Sequence, residues 1–302
     1  MKKNLLYLIL TLMFLTACLD SRSRRKQNRE QYPPERMFTN VQLDAAKSMY
    51  NGNLAKMEET LRAHPAQINQ LSPQGYTLLM YAAIIEDLPA MEKLLELKAN
   101  PDIITPFQGL NDTPVNQAVA TNNYEMLKLL LKYKASLNPA LGKSPLVVAM
   151  TLGDAATERK MIDFLLEHGA DVNHQAINGD NILEAAASDD LELAEYLLAK
   201  GAQPMIPGTT LVPVASFVEW KESQLKKAKK TDADYQSRLQ GFKQKLQQDY
   251  KVSFPVRKDP VQEAQHYIRL YEKLNPADKT TINFDNNYGQ NRYEESRRLL
   301  AK

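Results

Sequence analysis

The sequence is poor in the residues on which catalytic and redox chemistry commonly depends. Its 302 residues include one Cys, one Trp and four His, and 38 basic residues nearly balance 36 acidic ones. A single thiol cannot form an internal disulfide, and a near-neutral chain argues against a nucleic-acid partner. The apolar run from Leu5 to Leu15 is too short to cross a bilayer as a helix. These shortages exclude a disulfide-stapled domain and disfavour a nucleic-acid-binding protein.

Motifs that carry enzymatic chemistry are also missing. The sequence contains no Gly-X-Ser-X-Gly nucleophile elbow and no His-Glu-X-X-His zinc helix. His168 and His174 lie six residues apart across a predicted turn, which is not the spacing of two ligands on one helix face. Gly142-Lys-Ser144 matches the end of a phosphate-binding loop, but the first Gly of that motif would fall on Leu137. We therefore predict no enzyme: no catalytic residue, no metal site, no cofactor and no small-molecule substrate.

A pair of apolar residues followed by a small residue recurs four times along the chain. In one copy, Ile162, Leu165 and Leu166 share a helix face, and Gly169 can take the left-handed conformation that ends a helix. The four pairs are Leu94-Leu95 before Ala99, Leu130-Leu131 before Ala135, Leu165-Leu166 before Ala170 and Leu197-Leu198 before Ala202. Their spacings are 36, 35 and 32 residues. This pattern predicts a structural repeat of about 33 residues.

Each copy also begins with a residue that can cap a helix and is followed five residues later by Ala. A hydroxyl or amide oxygen accepts backbone N–H bonds at a helix start, Pro suits the first turn, and Ala allows close approach of two helices. The four segments are Thr77 to Ala82, Thr113 to Ala118, Ser144 to Ala149 and Asn181 to Ala186. Each copy is therefore predicted to be a pair of helices.

These landmarks resemble the ankyrin repeat in their period and in its Thr-Pro-Leu-His pattern. The match is strongest from Gly169 to Gly179, and a weaker copy runs from Leu43 to Asn69. The His of the family pattern is replaced in the four main copies, by Met80, Asn116, Val147 and Glu184. The resemblance implies an all-α solenoid of about five repeats over residues 39–210, built of helix-turn-helix units with short hairpin turns.

The N-terminus has the pattern of an export signal. Lys2 and Lys3 precede the apolar run, and Leu15-Thr-Ala-Cys18 ends it. This arrangement resembles the bacterial lipobox, which implies removal of residues 1–17 as a lipoprotein signal peptide and lipid attachment at Cys18. An ordinary signal peptide with an incidental Cys is the alternative. The acyl chains implied by the resemblance would hold the mature protein firmly at a membrane.

Residues 18–38 are predicted to be a lipidated Cys followed by a disordered, basic tether. Polar and basic residues dominate this segment, and no apolar periodicity occurs. Its cations either contact anionic lipid head groups or are simply solvated. Leu19, not Asp, follows Cys18, which resembles the sorting signal for the outer membrane. We therefore expect a lipid-anchored protein on the periplasmic face of the bacterial cell envelope, at the outer membrane.

Beyond the repeats, residues 211–302 are predicted to form a C-terminal α-helical region. Asp259-Pro260 has the pattern of a cap and first turn, and Pro276 is predicted to end the helix that follows. Trp220 is predicted to pack within a helical hairpin. The apolar positions at helical spacing are Val214, Phe217, Val218, Tyr235, Leu239, Phe242, Leu246, Tyr250, Val261, Ala264, Tyr267, Leu270, Tyr271 and Leu274. We interpret this region as a cap on the last repeat, with a separate binding module as the alternative.

One lengthened turn favours a partner-binding role. The segment from Ile103 to Asn111 carries four large apolar residues and no charge, although a hairpin tip normally faces water. These residues either pack onto neighbouring hairpins or form an exposed apolar finger. The geometry of the ankyrin family places further residues on the same concave side. The predicted partner-binding residues are Leu71, Tyr76, Ile84, Ile85, Ile103, Ile104, Phe107, Lys143 and Leu152.

These features predict a membrane-anchored periplasmic module that tethers or occludes a protein partner through a concave surface. A narrower possibility is an immunity or accessory lipoprotein for a secreted toxin. An envelope enzyme and a self-associating structural protein are the remaining alternatives, because a fold alone does not name a partner.

Overall fold

The chain is helical throughout the part that the structure describes. The computed structural model describes residues 21–105, 112–177, 181–207, 213–227, 233–282 and 289–301. Within these residues there is no β-strand, and two isolated bridges join Thr105 to Asp112 and Pro207 to Pro213. The predicted all-α class is confirmed. The helices are α1 Ser21–Gln31, α2 Pro34–Met37, α3 Asn40–Tyr50, α4 Leu54–Ala63, a 3-10 turn Pro65–Gln67, α5 Leu78–Ile84, α6 Leu88–Glu96, α7 Pro114–Ala120, α8 Tyr124–Lys132, α9 Pro145–Ala149, α10 Ala155–Glu167, α11 Ile182–Asp189, α12 Leu191–Ala199, α13 Ser216–Lys227, α14 Ala233–Asp249, α15 Pro260–Glu272, α16 Pro276–Ile282 and α17 Gln290–Leu300.

The chain divides into two compact units. The first unit is formed by residues 1–137 and 148–165, and the second by residues 138–147 and 166–302. In the first unit, α3 packs on α4, α5 on α6 and α7 on α8, and neighbouring pairs meet through α4 with α6 and α5 with α7. In the second unit, α11 packs on α12, α13 on α11 and α14 on α12. Helix pairs stacked on helix pairs are the arrangement that the repeat predicts.

Polar side chains fix where the helices begin. The four predicted capping residues each accept a backbone N–H two or three positions later, which confirms them as caps. These bonds join Thr77 to Met80, Thr113 to Asn116, Ser144 to Val147 and Asn181 to Leu183. The second helices start in the same way, at Asn53, Asp87, Asn123 and Asp190.

The apolar positions of the repeat form the core. Leu130, Leu165 and Leu197 each have no exposed surface, as the repeat register predicts, and Ala118 and Ala149 are buried equally. Burying one such leucine stabilises the fold by about 1.5–3 kcal/mol relative to leaving it in water. The predicted left-handed end of α10 is also confirmed, with a φ of +99° at Gly169.

An asparagine in the turn that ends a repeat ties that turn to the next one. In each case the amide Nδ2 donates to a carbonyl, and Oδ1 accepts a backbone N–H two residues further on. The bonds join Asn69 to Lys98 and Asn100, Asn138 to Gly169 and Asp171, and Asn173 to Gly201 and Gln203. Asp102 holds the equivalent position in the remaining turn, where its Oδ1 accepts the N–H of Ser136 at 2.8 Å. A carboxylate has no N–H, so Asp102 cannot donate to the carbonyl of Lys134, the counterpart of Lys98.

Asp102→Asn is therefore expected to raise the free energy of unfolding by about 0.5–1.5 kcal/mol, the net contribution of one added hydrogen bond. Chemical denaturation followed by circular dichroism measures the change. Asn173→Asp is the matched reverse substitution and is expected to lower stability by a similar amount. Identical denaturation curves for Asp102→Asn and the parent would show that the asparagine hydrogen bonds between successive turns add nothing to stability.

Tyrosines join two helices of the C-terminal region. Tyr267 in α15 is fully buried, and its hydroxyl donates to the carbonyl of Gly289 at 3.2 Å. Tyr271 donates to Oε1 of Gln290 at 2.6 Å and stacks on Tyr293 with ring centroids 4.6 Å apart. These contacts pack α17 on α15, and they bury Tyr267 and Tyr271 as the helical spacing predicts.

Two details of the C-terminal prediction are wrong, those of Trp220 and Val261. Trp220 is 53% exposed, because it lies two positions after the buried Val218 and so points away from the buried face of α13. Val261 is 46% exposed in the first turn of α15. Helix α15 ends at Glu272, ahead of Pro276, as predicted, and Pro276 begins the further helix α16, since its fixed φ suits a first helical turn.

The segment predicted as a disordered tether is also corrected. Residues 21–31 form the ordered helix α1, and Pro34, Met37 and Phe38 just after it are buried. The absence of apolar periodicity suggested disorder because packing usually orders a helix through its apolar side. Helix α1 is held through polar contacts instead, which the pattern of apolar residues does not report.

Candidate protein-binding surface

The structure places the predicted partner-binding residues in different environments. Leu71 is 44% exposed, and Lys143 is exposed. Tyr76, Ile103, Ile104 and Leu152 are half-buried. Ile84 and Ile85 are each only 1% exposed. Phe107, at the centre of the predicted apolar finger, lies outside the described residues. Lys143 belongs to the second unit and the other described members to the first.

Ile84 and Ile85 are corrected as surface residues, because the N-terminal segment of the same chain covers this face. Ile84 belongs to a buried cluster with Met80, against which Tyr32 and Tyr76 pack. The hydroxyl of Tyr81 donates to the carbonyl of Tyr32 at 3.0 Å. We define the groove as the face of α5 and of the turn after it that the segment 21–38 covers. The part of the predicted partner surface around Ile84 is therefore already occupied in this chain.

Helix α1 contacts the groove through four of its side chains, those of Arg24, Arg25, Asn28 and Arg29, and the Nε of Arg25 lies 4.0 Å from Oε2 of Glu86. Arg24 donates from both Nε and Nη2 to the two carboxylate oxygens of Glu86, the second bond at 3.1 Å. Asn28 donates from Nδ2 to the carbonyl of Ile84 at 2.7 Å. Arg29 donates to Oδ2 of Asp87 at 2.8 Å. Because residues four apart share a helix face, Arg24 and Asn28 lie on one face of α1, and Arg25 and Arg29 lie on the strip beside it.

Arg29 also joins α1 to the first helix pair. Its Nη1 donates to the carbonyl of Tyr50 at 2.6 Å, and its guanidinium lies 5.1 Å from the centre of the Tyr50 ring. The Tyr50 hydroxyl donates in return to the carbonyl of Arg29 at 3.2 Å. A planar guanidinium is suited to this combination of a carboxylate, a carbonyl and a ring face.

Glu86 is an unusual residue for its place in the repeat. It lies in the turn between α5 and α6 with a φ of +52°, where the preceding repeat has Gly52 with a φ of +74°. Its side chain has no exposed surface, and its second oxygen lies 3.4 Å from the amide nitrogen of Asn123. A left-handed backbone costs a non-glycine residue energy, and burying an unpaired carboxylate costs more. Glu86 is therefore a strained, buried anion whose charge is neutralised by Arg24.

Sequence reasoning missed this site for a definable reason. In the sequence, Glu86 and Asp87 have the pattern of ordinary turn residues before a helix. Arg24 and Arg29 belong to the segment that was predicted to be a disordered tether. One signal was available: a charged residue at the turn position that holds glycine at Gly52. A left-handed, non-glycine residue of that kind is uncommon and can mark a functional position.

The turns that join one helix pair of the first unit to the next, with Leu71 in one of them, form what we call the hairpin side. This side presents a separate apolar contact point. Leu71 lines a cavity of about 340 Å³ together with Gln42 and Gln67. The amide of Gln42 donates to the carbonyls of Gln67 and Gln70, at 3.1 and 2.7 Å, so the polar wall is held in place. The bridge between Thr105 and Asp112 closes the base of the lengthened turn, with Ile103 and Ile104 half-buried ahead of it.

The second unit contains a smaller polar cavity of about 170 Å³. His174, Gln175, Leu270 and Lys273 are among the residues that line it. Burial lowers the pKa of His174, and burial together with the charges of Arg269 and Lys273 lowers the pKa of His266 to about 4. His174 Nε2 bonds to the Pro139 carbonyl at 2.7 Å, and His266 Nε2 to Gln175 Oε1 at 2.9 Å. Both imidazoles are thus neutral near pH 7 and engaged in structural bonds.

Metal ligation and membrane spanning have no support in the described part of the chain. Among these residues no group of three or more His, Cys, Asp or Glu side chains lies close enough to hold a metal ion. No helix among them is long and apolar enough to cross a membrane.

Comparison with known proteins identifies the repeat. Residues 43–140 match the family described as ankyrin repeats, in 3 copies. The ankyrin repeat protein nuc-2 of Neurospora crassa is 25% identical over 174 residues, which are 57% of this chain and 16% of that protein. The ankyrin repeat protein YahD of Escherichia coli K12 is 28% identical over 142 residues, covering 45% of this chain and 69% of YahD. Residues 43–140 therefore contain ankyrin repeats, although the chain spans only about a sixth of the length of nuc-2.

A match among solved structures is the complex of the Bd0816 predatory endopeptidase from Bdellovibrio bacteriovorus with immunity protein Bd3460. The match covers 60% of this chain and 93% of the matched chain, with 20% sequence identity and a TM-score of 0.43.

Proposed function

We propose that the chain is a protein-binding module of the bacterial cell envelope, held at the periplasmic face of a membrane by lipid on Cys18. The ankyrin repeats within residues 43–140 carry the first half of this proposal, because stacked repeats present an extended surface built for contact with other proteins. The Leu15-Thr-Ala-Cys18 pattern after a short apolar run supports the second half.

The hairpin side of the first unit is the contact point that we propose for the partner. Leu71 is the large exposed apolar residue of this side, at 44%, and it stands beside a cavity with an ordered polar wall. An exposed apolar anchor next to satisfied polar groups is the arrangement of a binding hot spot. Phe107, in the lengthened turn, is proposed to extend the same contact, together with Ile103 and Ile104.

Leu71→Asp is expected to weaken capture of the partner by more than about tenfold, or roughly 1.4 kcal/mol. The test is affinity capture from solubilised membranes, with quantitative identification of the proteins recovered by the parent and by the variant. Trp220→Asp is the matched control, because Trp220 is a similarly exposed apolar residue outside the repeats. Loss of capture by Trp220→Asp with full capture by Leu71→Asp would move the binding surface to the C-terminal helices. A secreted toxin among the Leu71-dependent proteins would identify the module as an immunity protein.

Cys18→Ser is expected to abolish lipid labelling and to release the protein from the membrane fraction. The thiol is the attachment point that the lipobox pattern requires, and Ser cannot form the thioether. Growth with labelled palmitate, followed by gel analysis of membrane and soluble fractions, measures both effects. Label retained by the Cys18→Ser protein, or absent from the parent, would contradict the anchor while leaving the binding proposal intact.

A further inference from the structure

We propose that the groove at Glu86 and Asp87 is a binding site for an arginine-bearing helix, and that α1 fills it as an internal ligand which a partner helix displaces. That the displacing helix belongs to a protein partner rests on the proposed function. The chemical preference of the groove does not, because the contacts of α1 show it directly.

The side chains of helix α1 that the structure describes attach it to the groove through polar contacts. None of its side chains described by the structure, residues 23–31, is buried. Its attachments are the bonds of Arg24, Asn28 and Arg29 and the longer ion pair of Arg25 with Glu86 at 4.0 Å. Each such bond replaces a bond to water, so its net contribution to docking is small compared with its strength in isolation. A helix held in this way can leave without moving a buried apolar side chain of its own into water.

The segment after α1 is attached in the opposite way. Met37 and Phe38 are 5% and 1% exposed, and the Phe38 ring packs edge-on against Tyr81 with centroids 5.2 Å apart. Between the two lies Tyr32-Pro33-Pro34, where Pro33 is extended with φ −68° and ψ 145°. Proline prevents α1 from continuing as one helix into this anchored segment. The chain therefore has a fixed point at Phe38 and a break just before it, about which α1 can detach.

Glu86 determines which ligand fits the groove. Its two oxygens receive two nitrogens of one guanidinium, a geometry that a lysine ammonium cannot reproduce. Its buried position makes an unpaired state costly, so departure of Arg24 favours entry of another guanidinium. Besides this guanidinium, the groove requires a hydrogen-bond donor one helical turn further along the ligand, for the carbonyl of Ile84. It also requires a cation for Asp87. The fitting ligand is a helix with Arg, then an amide residue four positions on, then a second Arg.

A competing interpretation is that α1 is a fixed cover for the first helix pairs and never leaves. The two interpretations differ in a measurable way. A fixed cover is part of the cooperative fold, whereas an internal ligand can be replaced in trans by the same sequence. Tethering gives α1 a high local concentration, so a free peptide cannot compete with it until its own contacts are broken.

The experiment uses the full chain with Arg24→Glu and Arg29→Glu together, which breaks the contacts of α1 from its own side. The probe is a fluorescently labelled synthetic peptide of residues 21–32, followed by fluorescence anisotropy. We expect the peptide to bind the double variant at least about tenfold more tightly than it binds the parent. A peptide carrying Lys26→Glu should bind equally well, because Lys26 is 81% exposed and its carboxylate contact is within α1 itself. A peptide carrying Arg24→Lys should bind several-fold more weakly.

No binding to a double variant whose circular dichroism and thermal midpoint match those of the parent would overturn the inference. If the double variant does not fold, the single Arg24→Gln variant replaces it with the same expected order of affinities. Failure here is distinguishable from failure of the proposed function, because the peptide experiment needs no partner. Peptide binding without any Leu71-dependent capture would remove only the proposed function, and Leu71-dependent capture without peptide binding would remove only the internal ligand.

Discussion

Leu130→Ala is expected to lower the free energy of unfolding by about 2–5 kcal/mol, the range for large-to-small changes at fully buried sites. Leu130 lies in α8, which packs on α7, and it has no exposed surface. Its removal leaves a cavity that rigid helices on either side can only partly fill. Urea denaturation followed by circular dichroism measures the loss.

Leu131→Ala is the control for this prediction. Leu131 follows Leu130 directly and has the same helix propensity, but it is only half-buried. Its truncation is expected to cost clearly less than that of Leu130. Equal costs at the two positions would show that the register of the repeat is misplaced by one residue. Because the chain has two compact units, the transition that involves the first unit is the one to compare.

Phe38→Ala is expected to cost about 3–5 kcal/mol, as for other fully buried aromatic residues. Phe38 is 1% exposed and packs edge-on against Tyr81, which is itself fully buried in α5. The substitution removes both the buried area and the aromatic contact. Thermal and urea unfolding of the variant and the parent measure the loss.

Lys26→Ala serves as the control for Phe38→Ala and is expected to change stability by less than about 0.5 kcal/mol, as for an exposed surface position. The contrast between the two positions separates the anchored segment from α1. If Phe38→Ala left the stability unchanged, the segment 34–38 would not be attached to the first unit, and the fixed point proposed for the release of α1 would be lost.

The helix pairs could be predicted from the sequence because their causes are local and periodic. Leucines at helical spacing, small residues between helices and polar caps recur at similar intervals, so each copy supports the assignment of the others. Thr77 and Asn181 act as the predicted caps, and Leu165 and Leu197 are buried as predicted. Repetition thus makes weak local signals add up.

Helix α1 could not be predicted in the same way, because its stability comes from residues far along the chain. Arg24 and Glu86 are separated by 62 positions, and Arg29 and Asp87 by 58. No sequence period connects them, and an arginine-rich segment without apolar residues has the composition of a solvated tether. Ion pairing at a buried carboxylate overrode that expectation.

The candidate site was predicted only in part for a related reason. Family geometry placed Ile84 and Ile85 on an open concave face, but both are buried, and Tyr32 from the segment before the repeats packs against Ile84. Leu71 is exposed as a contact residue must be, and Phe107 lies outside the described residues. Which surface of a repeat is free depends on the flanking segments, and the repeat pattern carries no information about them.

Hydrogen–deuterium exchange on the unmodified full chain tests most directly whether a releasable polar helix fills the groove of stably folded repeats. Local opening of a weakly held element exposes its amides long before the core opens. We predict that amides of residues 24–31 exchange at least about a hundredfold faster than those of residues 80–84 in α5, and that added salt widens the difference by screening the ion pairs. Equal protection of the two segments, insensitive to salt, would show that α1 opens only with the repeats and would contradict the account.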